Sequence, residues 1–247
     1  MSFETNAMAH NTLINPLINP LIIALDLDNA TEARTLVAQL GSSVDFYKVG
    51  MELYAAEGMP FVRELLDQGK HVFLDLKLYD ISETVKRAVA TIARSGVALL
   101  TVHGSSAVMR AAVEGRGTSA LKLLGVSVLT SFDATDLADL GYPCPVTDLV
   151  ALRARNAMAA GLEGIVCSPL DAAAVRAITG PEALIVTPGV RSRTAATGDQ
   201  KRIATPAEAI AAGATYLVIG RQVTRATSPS AEVSNILNEL TLASKFD

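Results

Sequence analysis

The sequence predicts an α/β protein, a (β/α)8 barrel of the TIM type formed as a single domain behind a short N-terminal extension. Three observations carry this. Short β-rich runs alternate with helical stretches and no linker interrupts them, the pattern of parallel βαβ units. Eight such runs occur: Leu21–Asp26, Asp45–Val49, His71–Lys77, Ala98–His103, Leu124–Thr130, Gly164–Ser168, Ala183–Thr187 and Thr215–Gly220. An open doubly wound sheet also alternates, but eight units within about 225 residues fit the closed barrel better.

In chain order, residues 1–20 stand apart from residues 21–247. Met1 to Asn11 is polar and aperiodic, and Leu-Ile-Asn-Pro then occurs twice, at Leu13–Pro16 and Leu17–Pro20. Prolines at that interval forbid a regular helix, so the segment is expected as an extended arm. Beyond it the helices carry start and stop signals. Ser168-Pro169, Thr205-Pro206 and Ser228-Pro229 each set a capping hydroxyl before a proline suited to the first turn. Gly69, Gly96, Gly161, Gly180 and Gly213 stand where helices should stop. Between Ser82 and Gly96, Val85, Val89, Ile92 and Ala93 recur at helical spacing, so one face packs inward.

Composition narrows the functional classes. Half of the residues are hydrophobic and 19% are charged, the balance of a folded domain. A net charge of −4 offers no general attraction to nucleic acid, so any anion must be gripped locally. Cys144 and Cys167 are the only cysteines. They make no disulfide framework, and with no secretory signal in view the expectation is a reduced, cytoplasmic protein. Apolar runs such as Leu21 to Leu25 are too short to span a bilayer.

In such a barrel the reactive groups come from the C-terminal strand ends and the loops beyond them. Here those ends carry Asp26, Lys48, Asp75 with Lys77, His103, Thr130 and Ser168. Several charged ends converging on one mouth mark a site, because unpaired charge is costly to bury. The densest segment is Phe73 to Asp80. Strand alternation puts Phe73, Asp75 and Lys77 on one side, with Asp80 in the following loop. Read blandly, this is an ion pair stiffening a strand end. Read functionally, Lys77 is held cationic by carboxylates and poised to donate a proton.

Near the C-terminus, Thr187-Pro188-Gly189-Val190-Arg191 and Gly220-Arg221 follow the last two runs. Loops there commonly bind phosphate, glycine admitting the anion to the backbone and arginine forking onto it. The long polar stretch from Ser192 to Thr205 reads as a lid or a disordered loop, and as a lid it could close Gln200 over that phosphate.

Taken together, Ala-Leu-Asp26, Tyr-Lys48-Val-Gly, Asp75-x-Lys77-x-x-Asp80, Thr-Val-His103, Val-Leu-Thr130-Ser, Thr-Pro-Gly-Val-Arg191, Gly-Asp-Gln200-Lys-Arg and Gly220-Arg221 resemble the bacterial orotidine 5′-phosphate decarboxylases from about Leu21 to Gly220. The family usually has His-Asp-Ile-Pro-Asn-Thr after the lysine, where this chain has Tyr79-Asp80-Ile81-Ser82-Glu83-Thr84. Gly-Ser-Ser after His103 also differs from the glycine pair common there. The resemblance implies cofactor-free and metal-free decarboxylation of orotidine 5′-phosphate to UMP in pyrimidine biosynthesis. It implies Lys77, Asp75 and Asp80 as catalytic residues, Lys77 protonating C6. It further implies Asp26 and Lys48 on the ribose, Thr130 on the pyrimidine, and Arg191, Gln200, Gly220 and Arg221 on the phosphate. Finally, it implies a homodimer in which Asp80 and Thr84 serve the partner's site. His103 is expected to hold a structural hydrogen bond rather than to face substrate.

Two alternatives stay open. Asp-x-Lys-x-x-Asp is shared with metal-dependent sugar-phosphate lyases of the same superfamily (3-hexulose-6-phosphate synthase, keto-gulonate-phosphate decarboxylase), for which Glu52 and Asp75 offer oxygen ligands. A non-catalytic nucleotide-binding barrel is the other, and it leaves Lys77 without a purpose.

Overall fold

The computed structural model describes residues 19–192 and 202–243. Eight parallel strands close into a barrel in chain order: β1 (Leu21–Ala24), β2 (Phe46–Gly50), β3 (His71–Leu78), β4 (Leu99–Val102), β5 (Lys122–Val126), β6 (Gly164–Val166), β7 (Leu184–Thr187) and β8 (Tyr216–Ile219). Closure runs through Leu21↔Leu217 and Ile23↔Ile219 between β1 and β8. The surrounding helices are α1 (Ala30–Leu40), α2 (Met51–Asp67), α3 (Ser82–Ala93), α4 (Ser106–Arg116), α5 (Ala134–Asp139), α6 (Val146–Ala160), α7 (Ala172–Thr179), α8 (Pro206–Ala211), α9 (Arg221–Thr224) and α10 (Pro229–Ala243).

Strand alternation divides the apolar residues into two cores. Leu21, Ile23, Tyr47, Val49, Leu74, Leu100 and Leu217 face outward and pack with helix residues such as Leu36, Leu53, Val85, Val89 and Ile236. Ile22, Ala24, Phe46, Phe73, Leu99, Leu124, Val186 and Tyr216 form the second cluster, which fills the barrel interior. Carried two residues further, the inward rows reach Asp26, Lys48, Asp75, Thr101 and Gly220. The packed floor therefore gives way to polar groups at one level, as a side-chain-filled barrel with its site at the C-terminal face requires.

The punctuation signals act as expected at several ends. Thr205 caps α8 in a capping box with Glu208, and Ser168 caps the short 3₁₀ turn Pro169–Asp171. Gly161 closes α6 in the left-handed region at φ 87°. At the other end of the chain, the Pro20 carbonyl accepts from Leu217 N–H at 2.8 Å, and the Asn19 side chain donates to the Ser43 carbonyl at 3.1 Å.

Strand boundaries differ from those read in the sequence. The first run, expected to Asp26, leaves the ladder at Ala24, although Leu25 N–H still donates to the Lys48 carbonyl at 2.9 Å. The fifth, expected as Leu124–Thr130, spans Lys122–Val126. Its apolar run offers no alternation to mark the ends. Its neighbour β6, only three residues long, ends at Val166, whose carbonyl accepts the last bond from Ser127 N–H at 3.0 Å. Thr130 therefore lies in the loop after β5.

Candidate active site

Four charged side chains alternate in sign along the inner ends of β1, β2 and β3. Lys48 Nζ lies 2.6 Å from Asp26 Oδ1 and 3.8 Å from Asp75 Oδ2, and Lys77 Nζ lies 2.9 Å from both Asp75 oxygens. Lys48 is buried, with 8% of its surface exposed, and it is tolerable there because a carboxylate stands on either side. Gly50 makes room for this: a Cβ there would stand 2.9 Å from Lys48 Nζ and 3.0 Å from Asp26 Oδ1. Burial pushes the Asp75 pKa up, but Lys48, Lys77 and the Thr101 hydroxyl together outweigh it and hold the carboxyl below its ordinary value.

Lys77 reaches Asp75 by more than plain alternation. Leu74 pairs with Leu100 and Leu78 with Val102, so β3 spends two extra residues against β4. Within this bulge Lys77 adopts φ 49°, the only positive φ at a non-glycine among the described residues. A left-handed lysine is strained, and such strain persists only where its surroundings over-determine it. Lys77 N–H, shifted off the regular ladder, donates to Thr101 Oγ at 2.9 Å.

Across the mouth, the ends of β5, β7 and β8 bring Thr130, Arg191, Gly220 and Arg221 to the same cavity of about 840 Å³. Gly189, at φ 81°, turns the chain after β7. Arg191 N–H then donates to the Ala204 carbonyl at 3.0 Å. Burial lowers the Arg191 pKa and the neighbouring Arg221 lowers it further, so two guanidinium groups crowd one place. Such an arrangement favours a ligand carrying negative charge.

The cavity thus gathers Asp26, Lys48, Asp75, Lys77, Thr130, Arg191, Gly220 and Arg221, together with Glu52. Asp80 and Thr84 are not among its lining residues, and Gln200 lies outside the described residues. Asp80 is exposed, its Oδ1 accepting from Ile81 N–H at 2.6 Å. His103 also stands outside the lining. Among the described residues its side chain meets the Tyr79 ring at 5.9 Å, in place of the structural hydrogen bond expected for it. Burial, then Arg153 and Lys77, lower its pKa and favour the neutral ring. Tyr79 and Gly104 fit one another, since a Cβ at Gly104 would fall 2.3 Å from the Tyr79 ring. Those two departures from the family pattern are thereby accommodated together.

Sequence reasoning missed Thr101 and Gln222. A threonine within a strand is an ordinary β-former and carries no signal of its own. Gln222 is the first residue after Gly220-Arg221 that joins β8 to the β7 loop: its Oε1 accepts from Ser192 N–H at 3.0 Å, and its Nε2 donates to Glu232 at 2.7 Å.

With this geometry in hand, comparison with known proteins is decisive. Residues 19–236 match the orotidine 5′-phosphate decarboxylase / HUMPS family. The chain belongs to this family. It is 53% identical over 223 residues to the orotidine 5′-phosphate decarboxylase of Rhodopseudomonas palustris, covering 90% of this chain and 94% of that one. It is 51% identical over 227 residues to the enzyme of the same name from Nitrobacter winogradskyi, with 92% and 95% covered. The crystal structure of orotidine 5′-phosphate decarboxylase from Lactobacillus acidophilus superposes with a TM-score of 0.78 at 36% identity, over 90% of this chain and 98% of that chain. Among the described residues, no helix is long and apolar enough to cross a membrane.

Proposed function

We propose that this barrel removes CO2 from C6 of orotidine 5′-phosphate to give UMP, the closing step of de novo pyrimidine synthesis, without a cofactor. The observation that carries the reading is the Lys77 ammonium, 2.9 Å from both oxygens of Asp75, in a cavity whose far wall bears Arg191 and Arg221. Breaking the C6–CO2 bond leaves its electron pair on C6. A fixed cation beside that carbon stabilises the developing charge electrostatically. Lys77 then gives C6 a proton and regains one from solvent. Asp75 stands beside the departing carboxylate, and the two arginines, with Gly220, hold the phosphate. Asp26 and Lys48 take the ribose hydroxyls, and Thr130 takes the pyrimidine. The names of the relatives favour decarboxylation over metal-dependent sugar-phosphate chemistry. So does the state of Asp75, whose oxygens are already committed to Lys77, Thr101 and Lys48 and so compete poorly for a divalent ion. The two free thiols, Cys144 and Cys167, suit a reducing cytoplasm. The test is ultraviolet loss of orotidine 5′-phosphate by purified protein in excess EDTA; no turnover there ends the proposal.

The working unit in this reading is a symmetric homodimer. Asp80 and Thr84 are not among the lining residues of their own cavity, and Asp80 lies between the exposed side chains of Tyr79 and Ile81, an apolar edge suited to a partner. A twofold axis would deliver these residues reciprocally to the neighbouring site. Lys77→Ala and Asp80→Ala proteins, each inactive alone, should regain about a quarter of all sites after subunit exchange. No recovery, with exchange verified independently, rejects the shared site.

A further inference from the structure

Thr101 belongs to neither the ion-pair chain nor the ligand-facing groups, yet its side chain stands at the junction between them. It is fully buried, at 0% exposure, on the inward row of β4. Its hydroxyl donates to Asp75 Oδ1 at 2.9 Å and accepts from Lys77 N–H at 2.9 Å. A hydroxyl has one proton to give and lone pairs to spare. Beside a carboxylate, which only accepts, the proton goes to Asp75, and the lone pairs are left for the lysine backbone. One oxygen therefore ties the side chain of the acid to the backbone of the base two residues later.

We infer that Thr101 is a positioning residue for decarboxylation, clamping the β3 bulge so that Lys77 keeps its left-handed backbone and Asp75 presents a fixed oxygen pair to the lysine Nζ. Two independent features point the same way. The register shift against β4 displaces the Lys77 N–H from regular pairing, and a buried N–H without a partner is strongly disfavoured. The positive φ of Lys77 needs an outside contact to hold it, and the Thr101 hydroxyl is that contact. Valine has the shape of threonine but supplies neither bond. Serine supplies both.

This inference rests on the decarboxylase reading, so wild-type turnover of orotidine 5′-phosphate is measured alongside. If wild type is inactive, that reading fails and the inference falls with it. If wild type is active, Thr101→Val should lower kcat about tenfold to a hundredfold, with KM and UMP affinity moving less than about threefold. Thr101→Ser should return kcat to within about threefold of wild type. Rates are expressed per UMP-binding site, titrated by calorimetry, so that unfolded protein is not counted. An unchanged kcat in Thr101→Val, or no rescue by a folded Thr101→Ser, overturns the role. If Thr101→Val does not fold, Thr101→Ala replaces it under the same expectations. If both fail to fold while Thr101→Ser does, the hydroxyl is a stability element and the inference is likewise overturned.

Discussion

On the β1–β3 side of the cavity, charges alternate: Asp26, Lys48, Asp75 and Lys77, each within 3.8 Å of an opposite neighbour. On the β7–β8 side, Arg191 and Arg221 line the same cavity, and burial, then the Arg221 charge, lower the Arg191 pKa. The first wall is electrostatically complete before any ligand arrives. The second presents two like charges to the cavity, a pair suited to an anion. This difference sets where a lesion is felt. Removing a member of the first wall leaves buried charge uncompensated in the free protein. Removing a member of the second is felt mainly when phosphate binds.

The sharpest way to break this comparison is at Lys77. Lys77→Ala should lower turnover at least about a thousandfold, because it removes both the proton donor and the cation beside C6. UMP affinity, measured by calorimetry, should change far less, since the phosphate wall is untouched. Substantial remaining turnover would assign the acid elsewhere.

Asp75→Asn tests the completeness of the first wall. It leaves Lys48 and Lys77 facing an uncharged amide, and should cost about 3 kcal/mol of unfolding free energy at pH 7. The sign with pH follows from the lowered pKa of Asp75. A carboxyl depressed in the folded state contributes stability that is fully present above its unfolded pKa of about 4 and lost as pH falls through the folded value. Urea titrations should therefore show the gap between wild type and Asp75→Asn narrowing at low pH. A gap independent of pH would mean that the amide disrupts packing rather than charge.

Arg221→Ala examines the second wall. Loss of a charge-assisted phosphate contact should weaken UMP binding by about 2 kcal/mol. Uridine, which lacks the phosphate, should bind as before, and unfolding in urea should shift much less than for Asp75→Asn. Equal losses for UMP and uridine would move Arg221 away from the phosphate.

The two walls also differed in how far the sequence disclosed them. The barrel was legible because eight β-rich runs, hydroxyl-proline starts and glycine stops agree with one another. Asp75 and Lys77 were legible because strand alternation puts residues two apart on one face. The bulge that completes their contact was not, since an extra pair of residues in a ladder is visible only against the partner strand β4. Thr130 was found as a site residue although its strand ends at Val126, because loops beyond a strand face the same mouth as the strand itself. Thr101 and Gln222 were hidden for a shared reason: each acts through partners distant in sequence, Asp75 in one case and Ser192 with Glu232 in the other.

Gln222 provides the smallest and most selective test. The chain beside Arg191 is anchored through its backbone and through Ser192. Arg191 N–H donates to the Ala204 carbonyl at 3.0 Å, Ser192 N–H donates to Gln222 at 3.0 Å, and Ser192 Oγ donates to Glu239 at 2.7 Å. Glu232 takes the Gln222 amide N–H at 2.7 Å, which turns the amide oxygen toward Ser192. The peptide beside Arg191 is thus tied to α10 through two side chains. Gln222→Met keeps the length of the side chain and removes both of its bonds. One of the two ties remains, so the loss should be about 1 kcal/mol of UMP affinity, smaller than for Arg221→Ala. Turnover at saturating orotidine 5′-phosphate should hold within a few-fold, while KM rises, because the acid–lysine wall is unaffected. Uridine binding should not move. A fall in kcat without a change in KM would show that Gln222 reaches the first wall, and the separation of the two walls would then be lost.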